Sequence, residues 1–214
     1  MKKISRIAAF AFLALSFNQM TAQVNPGAPN VPDFTTKTIN RSEWKSLTEL
    51  FKTEKWEEAE KTATSYLARA EKDAYHAEDA AVLRYMIINA LSVELANGLT
   101  DKETTLKKLK PLQGKEVVTP TLTFKSRGIL NSLLLSDDGM SWTQTTTNKQ
   151  QDMIVMKETF KVAFLSMLQE TTKYDGNNFR LRATIGEITA NNPAHPRLDV
   201  VYNNTEIWDI SPTK

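Results

Sequence analysis

Beyond its N-terminal forty residues the chain shows two hydrophobic periods in succession, and the change between them falls near Gly114. Trp44, Leu47 and Phe51 recur at helical spacing from Ser42, with Leu50 alongside. A second stripe holds Trp56, Ala59, Ala63, Tyr66, Leu67 and Ala70 opposite Glu57, Glu58, Glu60 and Lys61. The third runs over 77–96, with Ala80, Leu83, Ile87, Leu91 and Leu95 in line and Val82, Met86, Ala90 and Val93 widening it. A helix that apolar is expected to be covered on more than one side. Asn97-Gly98 supplies a left-handed stop. Thr100-Asp101-Lys102-Glu103 has capping-box spacing and opens a short fourth helix through Leu106 and Leu109, which Pro111 and Gly114 end.

Beyond Gly114 the period becomes two. Val118, Pro120, Leu122 and Phe124 alternate with Thr119, Thr121 and Thr123, Lys125-Ser126-Arg127-Gly128 is a turn, and 129–135 is a second apolar run closed by Asp137-Asp138-Gly139. Residues 140–151 are polar and threonine-rich, an extended edge or a long loop. A short strand at 153–156 follows. Phe160, Ala163, Phe164, Met167 and Leu168 then predict a helix ending near Tyr174. Phe179, Leu181, Ala183 and Ile185 form a fourth strand, the segment 191–196 a loop, and 198–202 a fifth strand with an extension through Ile207 and Ile210. Arg180 and Arg182 alternate with those apolar residues and are expected to face solvent. The fold class is α+β: an antiparallel helical bundle over 41–113, then a small β-rich unit over 114–214.

Two resemblances follow from these patterns. Trp44-x2-Leu47-x3-Phe51 and the entry Trp56-Glu57-Glu58-Ala59 resemble the two helices of a tetratricopeptide hairpin, although no closing proline stands near Lys72 and residues 77–110 match little of that pattern. The order strand-strand-strand-helix-strand-strand over about 115–210 resembles an OB-fold barrel, with FRLRATIGEI in the place of the fourth strand. The OB resemblance implies ligand contacts on the face of the second and third strands and on the loops after the first and fourth. Those places carry Lys125, Arg127, His195 and Arg197, with Trp142 nearby.

The N-terminus changes the setting. Met1-Lys2-Lys3-Ile4-Ser5-Arg6 is basic and acid-free, 7–17 is uninterruptedly apolar, and 18–22 is polar and small. These are the three parts of a secretory signal, with Gln23 as the expected new N-terminus. The apolar run would span only about 16 Å, against a hydrocarbon core of about 30 Å, so it is too short to be an anchor. Residues 23–40, with prolines and a glycine, read as an extended linker. No later stretch is long and apolar enough for a membrane span. The chain has no cysteine, which excludes a lipid anchor on cysteine, disulfides and thiol chemistry. The expected address is therefore periplasmic or secreted, and not that of a lipoprotein.

Charge and motifs narrow the function. Setting aside residues 1–22 removes Lys2, Lys3 and Arg6 and no acid, so the net charge falls from +2 to −1. Neither half carries the cationic excess that binding a phosphate backbone needs, so no nucleic-acid partner is expected. The only histidines, His76 and His195, lie apart and outside any HExxH spacing. Seven glycines form no phosphate loop, no GxSxG elbow occurs, and Asp137-Asp138-Gly139 lacks the downstream acids of a calcium loop. Glu57/Glu58/Glu60 and Glu78/Asp79 read as solvated helix faces beside lysines. With no catalytic set, no metal site and no cofactor expected, the expected function is a non-catalytic binding or assembly module of the bacterial envelope. Stacked helix pairs would present a groove to a partner protein or peptide. The alternative is an OB-type module that binds an oligosaccharide or other envelope polymer through the five residues named above.

Overall fold

The computed structural model describes residues 38–72, 77–127, 130–136, 138–150, 153–168, 170–191 and 193–211. The expected signal peptide at 1–22, most of the linker and His76 lie outside the described residues. Four helices come first: α1 (Arg41–Lys52), α2 (Trp56–Ala70), α3 (Ala77–Ala96) and α4 (Lys102–Leu109). Seven strands follow: β1 (Glu116–Val118), β2 (Leu122–Lys125), β3 (Leu133–Leu134), β4 (Met140–Gln150), β5 (Met153–Phe164), β6 (Asn178–Asn191) and β7 (Arg197–Ser211). The architecture is α+β. No helix among the described residues is long and apolar enough to cross a membrane.

Local chemistry sets the helix limits. Asn40 opens α1 with a capping box: its Oδ1 accepts from the Glu43 backbone N at 3.0 Å, and its own N–H donates to Glu43 Oε2 at 2.9 Å. Arg69 of α2 donates to the other Glu43 oxygen at 2.7 Å and so ties the two helices together. The cap of α4 is Asp101, one residue later than the spacing implied, and accepts from Thr104 N at 2.8 Å. Gly98 (φ 69°) and Gly114 (φ 77°) take the left-handed conformation that ends α3 and the turn after α4.

Every residue of α3 from Asp79 to Leu95 is buried. The helix packs on α2 and α4 and also against β1, β5 and β7, which is why its apolar surface wraps all round. Arg84 pins it by donating to the Glu116 carbonyl at 2.8 Å and to Glu71 Oε1 at 2.9 Å. The buried apolar side chains of helices and sheet form one continuous cluster.

The strands form one mixed sheet whose pairings close a ring, β6–β2–β3–β4–β5–β7–β6, while β1 lies along the same β6 that β2 pairs. β5 and β7 run parallel, as do the short β2 and β3, and the other neighbours are antiparallel. The buried face takes Phe160 and Val162 from β5, Leu198, Val200 and Tyr202 from β7, and Phe179, Leu181, Ala183 and Ile185 from β6. The inward phase of β6 slips between Ile185 and Ile188, where its pairing with β7 also shifts. Gly186 sits in that slip, and a Cβ there would come within 2.5 Å of Asn203 Nδ2.

Two expectations are corrected, and the alternative left open for 140–151 is decided in favour of the extended form. The helix expected over 160–174 is absent: Phe160 to Phe164 complete β5, and the described part of 165–174 holds only a 3-10 turn at Thr171–Lys173. Phe160, Val162 and Phe164 also satisfy a period of two, and pairing with strands on both sides decides between the two readings. The threonine-rich stretch is β4, with Ser141, Thr143, Thr145 and Thr147 on its buried side. β-Branched threonines suit a strand, and two of the inward hydroxyls find backbone acceptors: Thr143 donates to the Ser132 carbonyl and Thr145 to that of Glu158. Arg180 and Arg182 do not project into open solvent. Arg180 pairs with Glu78 at 3.6 Å, and Arg182 pairs with Glu116 at 3.5 Å and lies over the Trp208 ring.

Candidate functional site

The ring places the five sequence-predicted residues in two groups. Lys125 ends β2 and pairs with Leu134, which pairs with Trp142, so the lysine and the tryptophan share one face two strands apart, about 10 Å. Arg127 follows Lys125 in an exposed turn that Asp175 holds through the Ser126 N–H (2.6 Å) and hydroxyl (3.0 Å). His195 is exposed in the β6–β7 turn, and Arg197 opens β7. Trp142 lies opposite Lys161, and Lys161 opposite Val201. Arg197 is therefore four positions along β7 from the level of Trp142, about 13 Å, and two strands across. Its guanidinium is engaged locally, with Nη1 at 3.4 Å from Met156 Sδ and Nε at 3.5 Å from Asp199 Oδ1. The geometry brings Lys125, Arg127 and Trp142 to one region and His195 and Arg197 to another.

A second set of residues emerges only in three dimensions. Thr145 pairs with Glu158 but Thr146 pairs with Met156, so Lys157 is the extra residue of a β-bulge. The bulge lets two consecutive charged residues turn inward, and both Lys157 and Glu158 are buried. Lys157 Nζ lies 4.0 Å from Glu158 Oε1. Asn89 of α3 donates to the same oxygen at 3.2 Å, and its Nδ2 stands 3.5 Å from the Tyr85 hydroxyl. Phe160 packs edge-on against Tyr85 and tilted against Tyr202, which binds the cluster to both α3 and β7.

The electrostatics follow from burial. Desolvation raises the Glu158 carboxyl, while Lys157 and the hydrogen bonds from Thr145, Asn89 and Tyr85 oppose the rise. Desolvation and then the Glu158 charge hold Tyr85 and Tyr202 well above the usual phenol value, and desolvation lowers Lys157. Glu158 Oε2, the Tyr202 hydroxyl and the Thr147 hydroxyl are buried without a hydrogen-bond partner among the described residues. Such a group can hold a proton or accept from a small donor. No three His, Cys, Asp or Glu side chains among the described residues are placed to hold a metal ion. The sequence hid this cluster because the helix expected at 160 masked the inward spacing of Glu158, Phe160 and Val162.

The two carboxylate clusters read as solvated faces are each split. Glu57 and Glu58 are exposed and Glu78 is half-buried, but Glu60 and Asp79 are buried. Glu60 accepts from Lys108 of α4 at 3.1 Å and sits near Glu94 of α3, whose carboxyl burial raises to about 6.

The exposed surfaces of the two halves differ in kind. The outward positions of α1, α2 and α4 are polar, small or charged, and the one large apolar side chain exposed in the described helical half is Leu99, in a turn. Leu130, Trp142, Ile154, Leu165, Met167 and Trp208 are all exposed on the sheet half. The described helices therefore turn their apolar faces towards one another and the ring. No family model, no curated protein and no solved structure matches the chain.

Proposed function

We propose that the chain is an exported, non-catalytic binding or assembly module of the bacterial envelope. In this reading α1 and α2 are a tetratricopeptide-like hairpin and the ring is an OB-type barrel that engages a partner protein or peptide. Export rests on the three-part leader at residues 1–22. The OB reading is supported by the closure of β2, β3, β4, β5, β7 and β6 into a ring with two non-sequential neighbour pairs, the antiparallel β2 and β6 and the parallel β5 and β7. It departs from that pattern in the connection after β5, which has no α-helix among its described residues.

The observation that carries the partner reading is the concentration of exposed apolar side chains on the sheet half. Trp142 stands beside Leu134 on the outer face, Met140 precedes it on the same side, and Leu165 and Met167 follow the paired end of β5. An aromatic anchor among flexible methionines is the composition that protein interfaces favour. The test is retention of proteins from envelope extract by the full chain and by two variants. Trp142→Ala should lose the partner retained by the unmodified protein, and Glu57→Lys, on the polar face of α2, should keep it. Equal retention by both variants would refute the placement.

The oligosaccharide alternative has its own support: Lys125 and Trp142 share a face, and an exposed indole with a nearby cation can hold a sugar ring. Measurable binding of envelope oligosaccharides, abolished by Trp142→Ala and accompanied by no retained protein, would favour it over the first reading.

A further inference from the structure

The outer face of the sheet carries one row of side chains that runs across four strands. Lys125 of β2 is level with Leu134 of β3, Leu134 with Trp142 of β4, and Trp142 with Lys161 of β5. Residues level across a sheet share a face. A tryptophan therefore stands between two lysines, with the backbone of Lys161 about 5 Å and that of Lys125 about 10 Å away. Lys125, Trp142 and Lys161 are all exposed, while their chain neighbours Phe124, Ser141, Thr143, Phe160 and Val162 are buried. Neither lysine has an ion-pair partner among the described residues, whereas Lys157, Arg180, Arg182 and Arg197 each lie within 4.0 Å of a carboxylate. Two acids that adjoin the row are engaged by local donors. Asp138 accepts from the Ser136 hydroxyl at 2.6 Å and the Met140 N–H at 2.8 Å, and Asp175 holds the Ser126 turn.

We propose that the partner of this face is an acidic protein surface, which sets carboxylates against Lys125 and Lys161 on either side of an apolar contact with the Trp142 indole. The proposal rests on the partner reading above and adds the chemistry of the partner. Charge complementarity gives the sign: two unpaired cations flank the anchor, and the chain beyond residue 22 has a net charge of only −1, so the attraction is local to this row. The apolar centre gives the class. Toward Gly139 the indole is bordered by Met140, which pairs with Ala163, and Met167 Cγ lies 3.5 Å from where a Gly139 Cβ would stand. These side chains offer a sugar no hydrogen bond but pack well against apolar groups. Gln144 and Thr159 form a polar border on the opposite side. An apolar centre with a polar and charged rim is the anatomy of a protein interface. The contact is one of side chains, because β4 is paired on both edges at Trp142 and has no backbone free for an added strand.

Rim charges act mainly on the association rate and its salt dependence, which separates this proposal from the reading it rests on. The probe is the protein that the full chain retains from envelope extract and the Trp142→Ala chain does not. Its association with a chain carrying Lys125→Glu and Lys161→Glu should be slower by roughly tenfold at low salt, and the difference should shrink at physiological salt. Lys45→Glu with Lys107→Glu makes the same change of charge at exposed helix positions and should leave the rate within about twofold. Poly-L-glutamate should compete with the retained protein, and poly-L-lysine should not. An association rate that the Lys125 and Lys161 reversals leave unchanged, equal slowing by both pairs of reversals, or competition by poly-L-lysine alone would overturn the acidic partner and leave the Trp142 reading standing. Retention that survives Trp142→Ala would overturn both. So would an envelope oligosaccharide bound at Trp142 with no protein retained.

Discussion

Glu94 gives the sharpest quantitative test of the helical half. It lies in the last turns of α3, only 3% exposed, and its Oε1 has no hydrogen-bond partner among the described residues. Burial is the main cause that lifts its carboxyl from 4.5 to about 6; attraction from Lys108 opposes the lift, and Glu60 and Glu57 add to it. Below pH 4.5 the group is protonated in the folded and unfolded chains alike and contributes no pH dependence. Between those two values the folded chain holds a proton that the unfolded chain has lost, so stability falls as pH rises. Each unit of difference is worth about 1.4 kcal/mol, so the loss approaches ~2 kcal/mol once Glu94 is ionised in both states. Glu94→Gln keeps the shape and removes the charge. Urea unfolding followed by tryptophan fluorescence should find the variant within about 0.5 kcal/mol of the parent at pH 4.5 and up to ~2 kcal/mol more stable at pH 7.5, with an unchanged m-value. A variant that kept the parent's slope between those pH values, or was the less stable protein at pH 7.5, would refute the reasoning.

Three further outcomes follow from the packing. Lys157→Met leaves the buried Glu158 carboxylate without its cation and should cost about 3 kcal/mol at neutral pH, while adding Glu158→Leu should recover much of the loss; denaturation of the single and double variants checks the coupling. Phe160 is fully buried between Tyr85 and Tyr202, so Phe160→Ala should cost about 3–5 kcal/mol in chemical unfolding. Asn40→Ala removes the side-chain half of the α1 capping box and should cost about 1 kcal/mol, with amide exchange rising first at Glu43.

The helices were legible in the sequence because their signals are local. Stripes at 3.6-residue spacing, an Asn-Gly stop and a cluster of cap residues act within a turn or two, and α2, α3 and α4 form close to where those signals lie. The all-round apolar surface of α3 also announced that it would be covered on several sides. In the β half the alternation of Phe179, Leu181, Ala183 and Ile185 was enough to place β6. What the sequence left open was every choice that depends on a distant neighbour. Phe160 to Phe164 fit a helix or a strand, and β4 on one side with β7 on the other chose the strand. Thr143 and Thr145 fit an extended edge or a long loop equally, until neighbours on both sides and backbone acceptors across the sheet made them interior strand residues. Glu60, Asp79 and Glu158 carry no local mark of burial, since a carboxylate reads the same on paper whether water or another helix covers it. A side chain's period follows from its own few neighbours along the chain, but its dielectric surroundings are set by elements tens of residues away.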